Sequence, residues 1–507
     1  MEDFVKTIKF DSLGLIPVIA TDYSTKQVLM LAYFNIESLE KTLKTGIACY
    51  YSRSRQSLWT KGETSGNYQK LISLKLDCDN DTILLEVQQL GPACHTGSQT
   101  CFFQNIEIEK STIEKNLKQK IAILGSTGSI GKNTVSVILN DPNSFEVELL
   151  SCGKNHTLLL QQAKLLRPKY AIIEATVSKE EQIAIAKPFK EIGTQAIFDK
   201  ITNQQSLLKQ IPVSTVMLAV SGFYAINYIP ALLENKNVKK LCLANKESIV
   251  CLGSLLFTKA KQKGIFIVPV DSEHNSLFNL LKNTSQQDIK SLIITASGGA
   301  LIDKKQEELK DVLLQDVLKH PNWSMGKKIT IDSATLANKG LELIEACRLF
   351  NVSHDKIEVY INKTSCLHAG VKFNDGSFTS FISKPDMKLH IANALYYPFT
   401  SKYNQLDEVD LLNPLNLKLE AVDEKRFKML SIARQVSDNT KLCMAYNMFN
   451  ELAVESFLSN KISFLDIVTF VENSLNKLPS SIHQDADFAS FAEVFAFEAD
   501  LKRVLTI

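Results

Sequence analysis

Residues 120–131 read Lys-Ile-Ala-Ile-Leu-Gly-Ser-Thr-Gly-Ser-Ile-Gly, a short apolar strand that runs into a turn with three glycines. A helix-like segment follows from Lys132 to Leu139. A strand, a glycine-rich turn and a helix in this order are typical of a dinucleotide-binding domain, because the glycines let the backbone approach a pyrophosphate at the helix N-terminus. The spacing is G-x-x-G-x-x-G and not the usual G-x-G-x-x-G, so the turn alone is weak evidence.

The next predicted strand, Phe145 to Ser151, bears on which dinucleotide binds. NAD-specific folds usually place an acidic residue near the end of this strand to hold the ribose 2′-hydroxyl. Here the strand leads into Cys152-Gly153-Lys154-Asn155, which offers a cation and an amide but no acid. This favours the 2′-phosphate of NADP, although a solvated lysine in an ordinary loop is the alternative.

Apolar runs alternate with helical patterns from residue 120 to 268, and this order predicts a doubly wound parallel sheet. The sequences Val220-Ser221-Gly222 and Asn245-Lys246-Glu247 follow predicted strands, at the edge where such sheets bind ligands. The predicted strands are Ile121–Leu124, Val147–Leu150, Ala171–Ile173, Val216–Val220, Lys240–Leu243 and Ile265–Val268.

Composition and charge exclude several classes of protein. A chain of 507 residues with 45% hydrophobic and 22% charged residues is typical of several globular domains. A net charge of +2 gives no reason to expect nucleic acid or an anionic membrane as a partner. The N-terminus lacks a signal peptide pattern, and the longest apolar run, around Ile249 to Phe257, is too short to cross a bilayer. We therefore expect a soluble, cytoplasmic protein.

Three of the ten cysteines, Cys78, Cys94 and Cys101, differ from the others, which read as small core residues. Three thiolates without a fixed fourth ligand are typical of a catalytic zinc site with a position open for water. Their spacing matches no common zinc finger, so three unrelated core cysteines fit the pattern about as well.

Polar residues around these cysteines suggest further ligand sites. Asp77-Cys78-Asp79-Asn80-Asp81 places carboxylates at alternate positions, which an extended strand would put on one face, as a Mg²⁺ site requires. An Arg-, Lys-, Ser- and Gly-rich stretch from Tyr51 to Gly66 lies between the apolar segment Leu29–Phe34 and the predicted strand Ile83–Val87. Such a stretch suits phosphate binding, but a solvated surface loop is the simpler interpretation.

Residues 10–105 carry motifs that resemble phosphoribosyl-AMP cyclohydrolase of histidine biosynthesis. The motifs occur in the family order: Gly14-Leu15-Ile16-Pro17, Leu29-Met30-Leu31-Ala32-Tyr33, Tyr51-Ser52-Arg53-Ser54-Arg55, Trp59 to Gly66, Asp77 to Asp81 and Gly91 to Cys101. The resemblance implies a homodimer that holds Zn²⁺ with Cys78, Cys94 and Cys101 across the subunit boundary and Mg²⁺ with Asp77, Asp79 and Asp81. It also implies that a zinc-bound hydroxide opens the purine ring. Asn67 stands where the family usually has a histidine.

Four motifs in the second part of the chain together suggest a site for a phosphorylated sugar. Asp271 and Glu273 alternate, so a strand would put them on one face, and Glu342 could complete an oxygen-rich Mg²⁺ or Mn²⁺ site. Thr295 to Gly299 suits an anion-binding turn, and the segment His320 to Gly326 suits a lid. Read singly, each is more simply a cap, a turn or a surface charge.

This set resembles 1-deoxy-D-xylulose 5-phosphate reductoisomerase of isoprenoid biosynthesis, from about residue 120 to the C-terminus. Asn450 to Val454 and Lys461 to Phe464 belong to the match. The resemblance implies a metal site of Asp271, Glu273 and Glu342, and a lid with Trp323 and Met325. It implies that NADPH is bound by Thr127, Gly128, Ser129, Ile130, Gly153, Lys154, Asn155, Asn245 and Glu247. It implies that the substrate is bound by Lys246, Ser272, Ser297, His320, Ser333, Asn338 and Lys339. The catalytic residues that it implies are Lys246, Glu273, His320, Trp323 and His368.

The family's His-Pro-Gln-Ser segment is Asn362-Lys363-Thr364-Ser365 here, whereas His368 matches the later histidine. Two alternatives stay open: a front domain that only dimerises or binds metal, or a different NADP-dependent dehydrogenase in the larger part. We expect phosphorylated small-molecule substrates and a homodimer or larger homo-oligomer.

The sequence predicts an α/β multidomain enzyme. Its expected parts are a small α+β metal-binding domain, a Rossmann-like NADPH-binding domain, an α+β catalytic domain and a C-terminal helical domain. The expected boundaries are 1–110, a charged linker 111–119, 120–268, 269–398 and 399–507.

Overall fold

The computed structural model describes residues 5–104, 118–175, 177–200, 203–322, 325–410, 417–483 and 487–504. The predicted linker 111–119 falls almost entirely outside these residues. The chain divides into two compact units, Met1–Lys110 and Ser111–Ile507.

The first unit is built on a four-stranded sheet with the order β2-β1-β6-β5. The central pair, β1 and β6, is parallel, and both outer pairs are antiparallel. A separate hairpin, β3–β4, forms from the polar stretch that the sequence suggested as a loop. The elements are β1 Ile16–Asp22, β2 Val28–Phe34, α1 Ile36–Thr45, β3 Cys49–Ser52, β4 Ser57–Thr60, β5 Gln69–Leu76 and β6 Ile83–Gln89.

The expectation that Asp77 to Asp81 form a strand is wrong. Strand β5 ends at Leu76, and the acidic residues make the turn into β6. Asn80 adopts the left-handed conformation, with φ 64°, which asparagine tolerates better than most residues. The Asp77 carboxylate accepts hydrogen bonds from the backbone N–H groups of Asp81 and Thr82, as an acidic residue commonly does in a turn.

The second unit begins with the parallel sheet that the sequence predicted, in the order β10-β9-β8-β7-β11-β12-β13. The reversal at β7 and β11 is the switch point of a doubly wound fold. The short edge strand β10 was missed by the sequence interpretation. The strands are β7 Gln119–Leu124, β8 Phe145–Cys152, β9 Tyr170–Ile173, β10 Gln195–Phe198, β11 Thr215–Leu218, β12 Lys240–Leu243 and β13 Phe266–Pro269.

Helices connect and cover these strands. The first, α2, starts at the glycine-rich turn and packs against the later helix Met387–Tyr396, so residues after 380 return to this sheet. The helices of this region are α2 Ser129–Asn140, α3 His156–Leu166, α4 Lys179–Glu191, α5 Gln205–Gln210, α6 Ile229–Glu234, α7 Lys246–Leu252 and α8 Ser254–Gln262.

A second, mixed sheet follows, with the order β17-β16-β14-β15-β18, and helices complete the unit. Its strands are β14 Ile289–Ala296, β15 Ile357–Ile361, β16 Leu367–Phe373, β17 Phe378–Ile382 and β18 Glu420–Ala421. The helices are α9 Ser272–Leu280, α10 Leu314–Val317, α11 Lys327–Thr335, α12 Ala337–Phe350, α13 Met387–Tyr396, α14 Lys428–Val436, α15 Thr440–Leu458, α16 Phe464–Asn476 and α17 Phe491–Val504. Among the described residues, no helix has both the length and the apolar character that a membrane crossing requires.

The expectation that Asp271 and Glu273 lie on a strand is also wrong. Strand β13 ends at Pro269, and Asp271 is the N-cap of α9, with its carboxylate accepting from the Ser272 N–H. Glu273 lies in the first turn of that helix, where the helix dipole stabilises a negative charge. Both carboxylates therefore belong to a helix N-terminus.

The two units should fold independently, because each hydrophobic cluster draws its residues from one unit only. We expect fragments 1–110 and 118–507, expressed separately, each to unfold cooperatively. Their midpoints should fall within about 2 °C of two transitions in the full chain, since an unchanged core leaves Tm unchanged. Thermal unfolding followed by circular dichroism measures this. A front fragment that is unfolded when alone would contradict it.

Candidate functional site

A cavity of about 570 Å³ in the second unit extends from the glycine-rich turn to the N-terminus of α9 and to α12. It lies at the carboxyl ends of the parallel strands, where doubly wound sheets bind ligands. Most of the predicted site residues line it: Gly128, Ser129, Ile130, Asn245, Lys246, Glu247, Asp271, Ser272, Glu273, Ser297, His320, Met325, Ser333, Asn338, Lys339, Glu342 and His368.

The glycine-rich turn leaves no room for side chains at two of its glycines. Gly125 has φ 82°, and a Cβ there would lie 2.7 Å from the carbonyl oxygen of Ala219. A Cβ on Gly131 would lie 2.3 Å from the carbonyl oxygen of Gly125. Gly128 precedes the first residue of α2 and leaves that helix N-terminus open toward the cavity. The turn therefore fits a phosphate that approaches the backbone closely.

The residues predicted to select NADP are not part of the lining of this cavity. Lys154 is exposed, beyond the end of β8, and Asn155 caps α3 by accepting from the Leu158 N–H. Gly153 and Thr127 are likewise outside the lining. No acidic residue stands among Cys152 to Asn155. The loop is therefore open to an additional anionic group.

The three predicted metal ligands come together, although they belong to two different helices. Carboxylate oxygens of Asp271, Glu273 and Glu342 lie within 4.8 Å of one another. Glu342 is buried, and the other two are partly buried. Three carboxylates facing one cavity form the oxygen-rich donor set that Mg²⁺ and Mn²⁺ prefer. The residues present therefore fit a hard divalent cation.

Two buried lysines partly neutralise this cluster. The Lys246 ammonium lies 2.9 Å from both Asp271 and Glu342, and Lys339 pairs with Glu273 at 2.6 Å and with Glu342. Burial alone would lower the pKa of Lys246, but the carboxylates of Asp271 and Glu342 hold it well above its ordinary value. Burial, reinforced by the Glu273 carboxylate, raises the pKa of Glu342.

Two histidines line the cavity, and each has a serine hydroxyl within hydrogen-bond distance. The His320 Nε2 lies 2.9 Å from the Ser297 hydroxyl, and the His368 Nε2 lies 2.8 Å from the Ser383 hydroxyl. Burial lowers the pKa of His320, and it lowers the pKa of His368 to about 4. Burial therefore favours the neutral form of both rings, in which each can donate and accept a hydrogen bond.

The segment that departs from the family motif forms a closed turn beside His320. The Asn362 carboxamide oxygen accepts from the Leu367 N–H and the Thr364 hydroxyl, and Ser365 has φ 55°. The Asn322 side chain donates to the Lys363 carbonyl and to the Ser365 hydroxyl. The turn is thus anchored to the predicted lid segment, but Trp323 of that segment lies outside the described residues.

The bend between α11 and α12 directs the remaining polar side chains of the site toward the cavity. Leu336 adopts the left-handed conformation, with φ 58°, and ends one helix while it begins the next. Ser333 precedes this bend, and Asn338 and Lys339 follow it, so all three face the same cavity. The Asn338 carboxamide oxygen accepts from the Lys246 ammonium at 2.6 Å.

Sequence reasoning missed two buried groups behind the metal ligands. His274 lies three residues after Asp271, with its Nδ1 3.6 Å from that carboxylate, and Glu345 lies three residues after Glu342. The His274 Nδ1 is also 3.4 Å from the Glu345 carboxylate. The i, i+3 spacing within helices was the available signal, but the expectation of a strand at Asp271 concealed it.

The first unit brings together only two of the three predicted zinc ligands. Cys94 and Cys101 interact with each other and with the buried ammonium of Lys61, whereas Cys78 is exposed at the β5–β6 turn. Within the described part of the chain, no cluster of three metal-ligating side chains contains a cysteine. A hydrogen bond from the Thr96 hydroxyl lowers the pKa of Cys94. Burial raises the pKa of Cys101. One chain therefore brings two thiols together and does not supply a complete zinc site.

Carboxylate oxygens of Asp77, Asp79 and Asp81 lie within 4.8 Å of one another, and all three residues are exposed. Asn67, the departure from the cyclohydrolase motif, lies over Gly91, where a Cβ would be 2.3 Å from the Asn67 Oδ1. Asn67 therefore packs against the start of the loop that carries Cys94 and Cys101.

Four family models match the chain. The phosphoribosyl-AMP cyclohydrolase model matches residues 30–103. The 1-deoxy-D-xylulose 5-phosphate reductoisomerase model matches residues 121–253, and models of that enzyme's C-terminal domains match residues 267–350 and 382–504.

Curated relatives and solved structures agree with the larger match. The 1-deoxy-D-xylulose 5-phosphate reductoisomerase of Wolbachia pipientis wMel is 38% identical over 367 residues, 71% of this chain and 91% of the relative. The enzyme of Anaplasma phagocytophilum (strain HZ) is 40% identical over 365 residues, 71% of this chain and 92% of that protein.

Among solved structures, DOX-P reductoisomerase in complex with NADPH, fosmidomycin and magnesium is 33% identical, with a TM-score of 0.70. The match covers 76% of this chain and 97% of that one. The Zymomonas mobilis enzyme in complex with NADPH is 30% identical, with a TM-score of 0.68, and the match covers 76% of this chain and 98% of that one. The chain therefore belongs to the 1-deoxy-D-xylulose 5-phosphate reductoisomerase family, and it carries a phosphoribosyl-AMP cyclohydrolase domain in front.

Proposed function

We propose that the second unit is an NADPH- and divalent-metal-dependent reductoisomerase that converts 1-deoxy-D-xylulose 5-phosphate to 2-C-methyl-D-erythritol 4-phosphate. The observation that carries this proposal is the continuity of one cavity. Its lining joins the dinucleotide turn at Gly128 to the carboxylates of Asp271, Glu273 and Glu342. A hydride donor at one end and a polarised carbonyl at the other could therefore meet within it.

The metal would be held by Asp271, Glu273 and Glu342, and when bound it would polarise the substrate's carbonyl and hydroxyl oxygens for carbon-skeleton rearrangement. Lys246 and Asn338 hold the Glu342 carboxylate through hydrogen bonds, so this ligand is oriented before substrate arrives. The Lys246 ammonium and the Asn338 carboxamide would also orient the substrate oxygens next to the cation.

The substrate phosphate would lie among hydroxyl, amide and imidazole donors. Ser297 and His320 form a hydrogen-bonded pair on one wall, and Ser333 stands on α11. Ser272, Asn338 and Lys339 would complete the substrate contacts from the helix N-termini beside them. We assign His320 hydrogen bonding to the phosphate, together with the Ser297 hydroxyl with which its Nε2 is paired.

NADPH would bind along the glycine-rich turn and extend toward β8. Thr127, Gly128, Ser129 and Ile130 would hold the pyrophosphate at the N-terminus of α2. Gly153, Lys154 and Asn155 would contact the 2′-phosphate, and Asn245 and Glu247 would lie at the nicotinamide end. Trp323 and Met325 would belong to the lid over the nicotinamide and substrate, and His368 would belong to the catalytic group.

The exposed lysine after β8 should determine cofactor preference. We expect the enzyme to use NADPH in strong preference to NADH, because Lys154 is the cation next to the open loop. Lys154→Ala should lower this preference by about 10-fold, the effect of losing one charge-assisted hydrogen bond. Steady-state rates with each cofactor measure it, and Lys164→Ala, an exposed lysine on α3, is the matched control. Equal use of both cofactors by the unaltered enzyme would refute the assignment.

Glu342→Gln should abolish rearrangement while NADPH binding is retained. We expect kcat to fall by about 100-fold or more, since polarisation by a metal ion supplies several kcal/mol. Turnover assays and a fluorescence titration with NADPH separate the two effects. Glu358→Gln, a carboxylate paired with Lys372 on the second sheet, should retain activity. Substantial turnover by Glu342→Gln would remove Glu342 from the metal site.

The second activity we propose is that of a phosphoribosyl-AMP cyclohydrolase in the first unit. The match to that family model over residues 30–103 and the contact between Cys94 and Cys101 support it. Because one chain offers two thiols, a complete Zn²⁺ site would need Cys78 of a second copy. We therefore propose a homodimer of this unit, with Mg²⁺ held by Asp77, Asp79 and Asp81.

Cys94→Ser should remove zinc and stop purine-ring opening, because a site of three thiolates tolerates the loss of none. Metal analysis of the purified full-length protein and an assay of ring opening test this together. Cys366→Ser, a half-buried thiol of the second unit, is the control and should retain the zinc. Wild-type protein without zinc, or Cys94→Ser with full zinc and activity, contradicts the proposal.

We further propose a division of the chain into four domains and a linker. Residues 1–110 form the cyclohydrolase domain and residues 111–119 the linker. Residues 120–268 bind NADPH, residues 269–398 bind the metal and the substrate, and residues 399–507 form the connecting segment and the helical domain. The helix Met387–Tyr396 packs on the parallel sheet, so the domain 269–398 would contact the domain 120–268.

A further inference from the structure

The segment Ala219 to Ser221, which follows β11, forms one wall of the cavity. It also packs against the dinucleotide turn, since a Cβ on Gly125 would meet the Ala219 carbonyl oxygen at 2.7 Å. Any shift of this backbone would therefore alter the wall and the turn together. What holds this segment in place is thus relevant to cofactor binding.

The peptide group that follows this segment, between Gly222 and Phe223, is hydrogen-bonded at both ends by side chains. The Gly222 carbonyl accepts from the Asn245 Nδ2 at 3.1 Å. The Phe223 N–H donates to the Glu451 Oε1 at 3.1 Å. Gly222 has φ 75°, so the peptide stands in an orientation that an ordinary residue would resist.

Glu451 comes from a distant part of the chain, the long helix α15. Its carboxylate also accepts from the Asn447 Nδ2 at 3.2 Å, one turn earlier on the same helix. A Cβ on Gly222 would lie 3.4 Å from the Glu451 Oε1, so carboxylate and backbone are in contact. The carboxylate is thus placed by its own helix against the turn after β11.

We propose that Glu451 is a positioning residue for NADPH, which acts by fixing the Gly222–Phe223 peptide and thereby the Ala219 to Ser221 wall. This rests on the proposed function of the second unit. Phe223 is buried, so without Glu451 its N–H would lose its partner in a site with little access to water. The backbone would then rotate or shift to find another acceptor, and the wall would lose its shape.

The test is a fluorescence titration of NADPH on full-length variants, with thermal unfolding in parallel. Glu451→Leu removes the acceptor and should raise the NADPH Kd about 10-fold, the effect of one buried hydrogen bond. Glu451→Gln keeps an acceptor oxygen and should stay within about 2-fold of wild type, because the neutral amide can still accept from an N–H. Glu455→Leu, an exposed residue one turn later, should leave the NADPH Kd unchanged.

An unchanged NADPH Kd in Glu451→Leu, with or without a lower Tm, would overturn the proposal and leave Glu451 a purely structural role. If Glu451→Leu fails to fold, Gly222→Ala tests the same peptide from the other side. It should raise the NADPH Kd by a similar factor, because φ 75° strains an alanine; no change there also overturns the proposal. Wild-type protein that does not bind NADPH would refute the proposed function instead.

Discussion

The buried cluster of three carboxylates and two ammonium groups is the constraint on which the second unit depends. Lys246 starts the helix after β12, Asp271 and Glu273 start the helix after β13, and Lys339 and Glu342 lie on α12. Each ammonium group lies between two carboxylates, so removing one lysine would leave buried carboxylates with fewer positive partners, which is destabilising. The cluster therefore fixes three segments relative to one another, and its lysines act as internal counterions where a cation would bind.

The parallel sheet was predictable because its strands are continuous apolar runs between helical patterns, as expected where both faces are covered. All six predicted strands are present. The seventh, β10, carries the short sequence Gln195-Ala-Ile-Phe198 at the edge of the sheet, where few buried residues distinguish a strand from a loop. Its assignment depends on pairing with β9, a long-range interaction that no local pattern contains.

The residues of the candidate site were predictable as a set, but their local structure was not. Two acidic residues separated by one position are compatible with a strand. They are equally compatible with an N-cap followed by the first helical turn, as at Asp271 and Glu273. The turn at Asp77 to Asp81 presents the same ambiguity, resolved only by the left-handed Asn80. Glu451 could not have been connected to Phe223 from the sequence, because their hydrogen bond spans 228 residues.

The two units have separate hydrophobic clusters but belong to one polypeptide, and this determines their relative amounts in the cell. Translation produces one copy of each unit with every copy of the other, so their molar ratio is fixed at synthesis. The two units also share one fate in degradation, because a protease that engages either unfolded core begins on the same chain. The amount of one unit can therefore change only together with the amount of the other.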